Sequence, residues 1–345
     1  MSAETHPNPV VNMGKITLLG IGQCALSGNV LSGALILVGV AYSSWLAALS
    51  FFVGSLLTSL LAKWMKAPDE LIDIGMYGFG GGYVGVLVGT FFTIHVPAAP
   101  GELVFLLLMG SILAVPLITT FIVSFASAGI SSTALPVITL VWIFMAGFLH
   151  SDAVDHSLPA HAAEAAAAAA TVADPYTWKT FVYGTLSAFG QVFMHGNAVT
   201  GGLVLAGILV NSRIMGLMGV LGCLISIAIS MWVGIPEAKV ADGAYAFNSM
   251  LTMMALGGFF IYLDWRSFIY AVIGGVLAMW VYVAIESISA GSFLPAMVAG
   301  FAIVNVIMTY AAKFLGSVRL IDMANLSIPE KSFLKDAPPL PSPTA

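Results

Sequence analysis

The sequence predicts an all-α integral membrane protein with two inverted-topology repeats, each containing five transmembrane helices plus one half-membrane helix. Three observations support this prediction. Of the 345 residues, 59% are hydrophobic and only 8% are charged, whereas charged residues make up about a quarter of a soluble domain. The apolar stretches are about 20 residues long, and they lack the ten-residue alternation of a membrane β-barrel. A polar motif also occurs twice, once in each half of the chain.

The repeated motif is G-Q-x(5)-N-x(2)-[ST]-G, found in IGQCALSGNVLSGA (21–34) and in FGQVFMHGNAVTGG (189–202). Gln23 and Gln191 are 168 positions apart, and Asn29 and Asn197 keep the same offset. Two further pairs occur in the same order. IGMYGFGGG (74–82) matches DGAYAFNSM (242–250) at offset 168, and LPVIT (135–139) matches LPAMV (294–298) at offset 159. These ordered matches indicate an internal duplication.

The first repeat, residues 1–150, opens with an apolar segment at about 15–27 that is too short to cross a bilayer. This segment ends in glycine-rich polar sequence, which predicts a half-membrane helix. Irregular backbone at membrane depth is tolerated only where protein or a water-filled cavity covers it, so the polar interruption is expected beside a pore. Five spans are predicted to follow, near 29–43, 45–63, 74–94, 103–126 and 134–150.

An external linker rich in acidic residues and alanine is predicted at 151–176. The second repeat, residues 177–315, has the same plan: a half-helix at about 179–195, then spans near 197–211, 214–234, 244–263, 266–286 and 292–312. The remaining residues, 316–345, end in the proline-rich sequence APPLPSPTA. They are expected to form a cytoplasmic, largely disordered tail.

The odd number of spans in each half predicts that the two halves insert in opposite orientations. Inverted repeats of this kind place binding sites near the midplane, at the repeat interface. Cytoplasmic loops carry an excess of Lys and Arg. With both termini inside, seven basic residues lie on the cytoplasmic side, before Lys331 and Lys335 of the tail are counted, and only Lys179 and Lys239 lie outside. The seven are Lys15, Lys63, Lys66, Arg213, Arg266, Lys313 and Arg319. The expected location is therefore the cell (inner) membrane, as a multi-pass protein.

No acidic or basic residue lies in the middle of a predicted span, because Asp264, Arg266 and Glu286 fall at helix ends. Ionisable residues within a membrane mark proton relays and ion-coupling sites. Their absence disfavours energised transport and favours passive, protein-mediated movement of a small neutral solute across the lipid bilayer. No metal-ligand spacing and no basic cluster is present, so neither a cofactor, a metal nor a nucleic-acid partner is expected.

The polar residues at membrane depth are the candidate solute contacts. A neutral polar solute that sheds water must recover its hydrogen bonds, at about 1–3 kcal/mol for each buried group left unpaired. Glutamine carbonyls and threonine hydroxyls can accept hydrogen bonds from such a solute. The alternative is that these groups only bind helices together. Recurrence in both halves favours a solute role for Gln23 and Gln191. Asn29 and Asn197 are balanced between solute contact and satisfying loose backbone groups, and His195, matched by Ser27, is expected to be structural.

Taken together, the motifs resemble those of the urea transporter family. The resemblance covers about residues 15–315. It rests on the two GQ motifs, GMYGFGGGYVGVL, LPVIT, AYAFNSMLTMMALGGFF and FLPAM. It implies two inverted five-helix halves with tilted half-helices, a continuous pore within each protomer, a homotrimer, and passive conduction of urea.

The resemblance also implies roles for individual residues. Gln23 and Gln191 match the family's pore amide or carboxyl sites, and Thr139 matches the threonine of the fifth span. Leu26 and Met194 stand where the family commonly has slot-forming phenylalanine. The pore-lining third-span motif contributes Phe79, Val84 and Phe247. Departures from the family pattern are Gly80 in place of an asparagine (matched by Asn248), Val298 in place of the second threonine, and the aliphatic Leu26.

Two alternatives remain open at this point. A channel for short amides or ammonia is favoured by the missing threonine and asparagine. An intramembrane enzyme that uses His195 is a remote possibility, since the sequence offers it no paired acid or base.

Overall fold

The computed structural model describes residues 8–94, 100–149, 175–289, 295–322 and 326–331. Within these ranges the chain forms fourteen α-helices, seven in each half. The first seven are α1 Pro9–Gln23, α2 Val30–Ser43, α3 Trp45–Trp64, α4 Asp69–Asp73, α5 Met76–Ile94, α6 Pro100–Ser127 and α7 Leu135–Leu149. The second seven are α8 Trp178–Gln191, α9 Ala198–Asn211, α10 Arg213–Val233, α11 Glu237–Ala241, α12 Phe247–Met254, α13 Trp265–Ile288 and α14 Ala299–Ala312.

The helices of the first half correspond in order to those of the second half, and the turns between them share an unusual backbone geometry. Left-handed φ angles are uncommon outside glycine. Three left-handed positions in the first half recur 168 residues later. These pairs are Leu26 (φ 55°) and Met194 (φ 63°), Lys66 (φ 57°) and Gly234 (φ 83°), and Gly75 (φ 81°) and Gly243 (φ 85°). The repeated turn geometry supports the internal duplication predicted from the motifs.

Each half-helix crosses the following helix at very short range, and a glycine makes this possible. A Cβ atom on Gly33 would lie 1.9 Å from the carbonyl oxygen of Leu18, and one on Gly201 would lie 1.6 Å from that of Leu186. No other residue type fits at either position without moving backbone. The crossing of α1 over α2 is therefore repeated by α8 over α9.

The two halves meet along α2 and α9, which exchange a pair of hydrogen bonds. Ser32 Oγ donates to the carbonyl oxygen of Gly207 at 2.7 Å. Thr200 Oγ1 donates to that of Gly39 at 2.8 Å. Ser32 and Thr200 are 168 positions apart, and so are Gly39 and Gly207. Each of the two bonds is therefore the counterpart of the other in the internal repeat. The start of each helix meets the end of the other, and α2 and α9 therefore pack antiparallel.

The predicted spans are largely confirmed as apolar helices. Among the described residues, four helices are long and apolar enough to cross a membrane, namely α3, α6, α10 and α13, and four shorter apolar helices lie in α2, α7, α9 and α14. The predicted span 244–263 is different. Helix α12 ends at Met254 and a π-helical turn follows at Ala255–Phe259, with non-helical angles at Gly257 and Gly258 (φ 123°). Two adjacent glycines interrupt the α-helix, since glycine readily adopts such angles.

The pairing of LPVIT with LPAMV is wrong in register. Helix α7 begins at Leu135 and α14 begins at Ala299. Each helix is preceded, two residues earlier, by a left-handed residue, Thr133 (φ 49°) or Met297 (φ 40°). The structural offset is therefore 164, and the residue equivalent to Val298 is Ala134 rather than Thr139. Proline is compatible both with the first helical turn and with the preceding loop, so the Leu-Pro pair does not determine where the helix begins.

Part of the predicted disordered tail packs against the helices. Ile321 N–H donates to the carbonyl oxygen of Phe260 at 2.8 Å, and Tyr262 N–H donates to that of Arg319 at 2.9 Å. Glu330 accepts hydrogen bonds from Ser212 Oγ at 2.7 Å and from Ile214 N–H at 3.0 Å. These contacts differ from the disorder expected for residues 316–322 and 326–331. Residues 332–345, and the predicted linker as far as residue 174, lie outside the described residues.

Candidate functional site

The candidate site lies where the two half-helices end. Gln23 is the last residue of α1, and Gln191 is the last residue of α8. After each glutamine the chain turns through a left-handed residue, Leu26 or Met194, and enters the next helix. Both turn residues are half-buried. The repeated motif thus places an amide and an apolar side chain at the same point of each half.

The glutamine amides have similar surroundings. Gln23 Nε2 donates to the carbonyl oxygen of Ile74 at 3.1 Å. A Cβ atom on Gly28 would lie 3.6 Å from that nitrogen, and one on the equivalent Gly196 would lie 2.4 Å from Gln191 Nε2. Each amide therefore lies beside the glycine of its own turn. The bond to Ile74 occupies a donor of Gln23, and the carbonyl oxygen of this amide is the group that can accept a hydrogen bond from a solute.

Asn29 and Asn197 use their side chains to begin α2 and α9. Asn29 Oδ1 accepts hydrogen bonds from the N–H of Leu31 at 2.8 Å and, more weakly, from that of Ser32 at 3.4 Å. Asn197 Oδ1 accepts from the N–H of Thr200 at 2.9 Å. Asparagine is among the best N-capping residues because its side chain satisfies these orphan backbone donors. Of the two roles left open by the sequence, the geometry supports capping.

The third-span residues occupy two kinds of environment. Phe79 and Phe247, which are 168 positions apart, each pack edge-to-face on a tyrosine. The ring centroids of Phe79 and Tyr83 are 5.8 Å apart, and those of Phe247 and Tyr282 are 5.7 Å apart. Val84 is buried at the contact between α5 and α6, where a Cβ atom on Gly110 would lie 2.3 Å from its Cγ1. The two phenylalanines are equivalent by position, but their ring partners are not, because Tyr83 is on α5 itself and Tyr282 is on α13. Val84 fills a gap between helices.

The structure does not bring Thr139 and Val298 to equivalent places. Thr139 is half-buried one turn into α7, while Val298 is the buried N-terminal cap residue of α14. The true structural partner of Val298 is Ala134, which is also buried. Both halves therefore present an apolar side chain at this position.

His195 connects the two halves. Its Nε2 lies 3.3 Å from the hydroxyl oxygen of Thr90 on α5, and the imidazole is buried. The contact joins the turn after α8 in the second half to a helix of the first half. This geometry is consistent with the structural role expected for His195.

Several polar contacts near the site were not anticipated from the sequence. Asn248 Nδ2 donates to the carbonyl oxygen of Met297 at 3.0 Å, and its Oδ1 accepts from the N–H of Phe301 at 2.8 Å. Tyr245 donates its hydroxyl proton to Glu286 Oε2 at 2.8 Å. In the sequence, such a contact is visible only as a polar residue inside an otherwise apolar span, and this does not reveal the residue to which it binds. Within the described residues, no group of three His, Cys, Asp or Glu side chains could hold a metal ion.

Comparison with known proteins agrees with the geometry. The sequence profile of the urea transporter family matches residues 15–313. Urea transporter 1 of Ovis aries is 24% identical over 324 residues, which cover 91% of this chain and 81% of the relative. Urea transporter 1 of Mus musculus is 26% identical over 300 residues, covering 84% of this chain and 74% of the relative. The profile spans most of the chain, so this multi-pass membrane protein belongs to the urea transporter family.

Proposed function

We propose that the protein conducts urea passively across the cell membrane through a pore that runs between its two halves. The principal observation is the pair of glutamine amides at the ends of the two half-helices, in a chain that belongs to a family of transporters rather than enzymes. Amide and hydroxyl oxygens can accept the N–H groups of urea as it loses its water. Selectivity then depends on pore width and on the polarity of the lining.

The two halves are inferred to insert in opposite orientations, with both termini in the cytoplasm. The antiparallel packing of α2 and α9, with its exchanged hydrogen bonds, supports this topology. The distribution of lysine and arginine supports the placement of both termini in the cytoplasm. Each protomer of an inferred homotrimer would then contain its own pore, near the midplane where inverted repeats place their sites.

In the proposed pore, Gln23 and Gln191 accept hydrogen bonds from the solute at successive positions. Leu26, Met194, Phe79 and Phe247 flank the path with flat or apolar surfaces that fit a planar molecule. Thr139 remains a proposed hydroxyl acceptor, and Val298 a proposed apolar contact. The corrected register pairs Val298 with Ala134 and Thr139 with Ile303, so the Thr139 hydroxyl of the first half has no equivalent in the second.

A channel for short amides or ammonia is the second candidate. The apolar residues Ala134 and Val298, and the absence of a side chain at Gly80, reduce the number of polar groups near the path. Fewer acceptors would favour a solute with fewer N–H groups than urea, because each unmatched donor is costly to desolvate.

Solute uptake by proteoliposomes without an energy source distinguishes these candidates. Urea, acetamide and ammonia are compared at equal gradients, with protein-free liposomes as the baseline. Urea is expected to enter fastest relative to that baseline. An uptake dominated by acetamide or ammonia would support the second candidate, and urea uptake equal to the baseline would refute the proposed function.

A further inference from the structure

Asn305, in the middle of α14, is a buried amide without a hydrogen-bond partner among the described residues. Its side chain is 0% exposed. Within the described residues neither its Oδ1 nor its Nδ2 has a hydrogen-bond partner. An amide in this position has lost its water and gained nothing in return, which destabilises the folded protein unless a small molecule occupies the place.

The surroundings of Asn305 can be traced from contacts between α12, α13 and α14. Asn248 on α12 binds the first turn of α14 through the N–H of Phe301. Further along both helices, a Cβ atom on Gly274 of α13 would lie 3.3 Å from Thr252 and 3.5 Å from Met308. Helices α12 and α14 therefore run in the same direction, and Asn305 lies between Phe301, which is at the level of Asn248, and Met308, which is at the level of Thr252.

This region is polar in the second half and apolar in the first. Five buried polar residues lie on α12 and α14. Ser249 donates its hydroxyl proton to the carbonyl oxygen of Gly275 on α13 at 2.7 Å, and the other four are Asn248, Thr252, Asn305 and Thr309. At offset 168 for α12 and 164 for α14, their equivalents are Gly80, Val84, Val141 and Met145, of which the three with side chains are buried. The equivalent helix contacts are therefore apolar in the first half and hydrogen-bonded in the second half.

Three of these four polar residues are satisfied by protein. The Asn248 amide is bound to Met297 and Phe301. Thr252 Oγ1 donates to the backbone carbonyl oxygen of Asn248 at 2.8 Å, and Thr309 Oγ1 donates to the backbone carbonyl oxygen of Asn305 at 2.7 Å. Each threonine hydroxyl still has lone pairs that can accept a hydrogen bond. The unpaired amide of Asn305 thus lies in a region that offers further acceptors.

We propose that Asn305, together with Thr252 and Thr309, forms a buried binding site for one small neutral molecule that both donates and accepts hydrogen bonds. Urea and water share this chemistry, and both reach membrane depth in a urea pore. The Asn305 carbonyl accepts an N–H or O–H from the bound molecule, while its NH2 group donates to an oxygen of that molecule. The identification of urea as an occupant rests on the proposed function.

A high-resolution structure of the unaltered protein with bound selenourea, in which selenium marks the urea analogue, tests the site. An anomalous peak within hydrogen-bond distance of the Asn305 amide would identify a urea site, and an ordered oxygen without anomalous signal would identify a water site. An absence of density beside the amide would overturn the proposal. This readout does not require the protein to conduct urea, so it is separate from the test of function.

The variant Asn305→Val tests the role of the site, because valine is the residue that the first half has at the equivalent position. A roughly fivefold loss of urea flux would indicate urea as the occupant during conduction, and a loss of osmotic water permeability alone would indicate water. Val141→Ile is the matched control and should leave both fluxes unchanged. Unchanged fluxes in Asn305→Val together with a higher melting temperature would show that the amide is unoccupied and would contradict the proposal.

Discussion

At the scale of single residues, the side-chain amides at the starts of helices and those at the ends of helices have different roles. Asn29 and Asn197 cap the N-termini of α2 and α9, so their side-chain oxygens are committed to backbone N–H groups. Gln23 and Gln191 end α1 and α8 and lie beside a glycine of the turn. The same motif therefore contains one structural amide and one that we assign to the solute.

Replacing Gln23 or Gln191 with leucine should lower urea conductance at least tenfold. Leucine has nearly the same size but leaves the N–H groups of the solute unmatched, and a barrier higher by about 1.4 kcal/mol slows passage tenfold. Stopped-flow light scattering of proteoliposomes measures the rate. Asn29→Ser, which keeps a good capping side chain, should conduct like the parent protein. Normal urea flux in both folded leucine variants would show that the glutamines only bind helices together.

The glutamine and asparagine positions could be predicted from the sequence because the motif occurs twice with one spacing. The correct partner of Val298 could not be predicted from the sequence, because a Leu-Pro pair fits on either side of a helix start and led to the pairing with Thr139. The left-handed residues Thr133 and Met297 define the register, and non-glycine residues with such angles give no sequence signal.

At the scale of helices, the short helices α1 and α8 are held by glycines where they cross their neighbours. Gly33 and Gly201 allow α1 and α8 to lie directly against α2 and α9. Gly202 is next in the chain, yet a Cβ atom there would meet nothing within 4 Å. The two neighbouring glycines of the second half thus have different roles.

Gly201→Ala should prevent stable folding, because its Cβ would lie 1.6 Å from the carbonyl oxygen of Leu186 and would push α8 away from α9. Gly202→Ala should leave flux unchanged and stabilise the protein by up to about 1 kcal/mol through the higher helix propensity of alanine. Size-exclusion profiles and melting temperatures in detergent measure both effects. If the two variants were equally stable, the close crossing of α8 over α9 would be wrong.

The C-terminal segment binds the start of α10 through Glu330, and this contact should depend on pH. Burial alone would raise the pKa of Glu330. The N–H of Ile214 and the hydroxyl of Ser212 stabilise the carboxylate and hold its pKa below the usual value of 4.5. The contact therefore stabilises the protein above that value, and this stabilisation is lost as the pH falls through the lower pKa of the folded state.

Glu330→Gln should lower stability by about 1 kcal/mol near neutral pH, comparable to the loss of a helix cap. The difference from the parent protein should shrink as the pH falls below about 4, where the carboxylate is protonated. Melting curves of both proteins from pH 7 to the acid limit measure it. A difference that stayed constant across this range would mean that the charge of Glu330 has no part in the contact.

The helical elements could largely be predicted, since the apolar spans and their polar boundaries determine the helices. Two elements differed for identifiable reasons. Gly257 and Gly258 interrupt the span predicted at 244–263, where hydropathy alone indicates a continuous helix. Residues 316–322 and 326–331 pack through backbone bonds and a single carboxylate, which composition does not reveal.

At the scale of the whole molecule, duplication explains the architecture and divergence explains the chemistry. The repeated left-handed turns and the exchanged bonds between α2 and α9 place equivalent elements around one interface. Departures from this equivalence, such as the polar residues on α12 and α14, are where the halves acquired different contacts. The sequence predicted the duplication from three motifs, but only the three-dimensional packing distinguishes equivalent from merely similar segments.

The predicted spans contain no ionisable residue at mid-membrane, so urea should move down its own gradient without coupling to ions. Urea efflux from proteoliposomes is measured with and without imposed proton and sodium gradients, and again after ionophores collapse them. We predict a rate that follows the urea gradient alone and does not change between pH 6.5 and 8, a range chosen to lie about two units or more above ordinary carboxyl pKa values. Urea accumulation against its gradient, or a rate that falls when the ion gradients are collapsed, would contradict passive conduction.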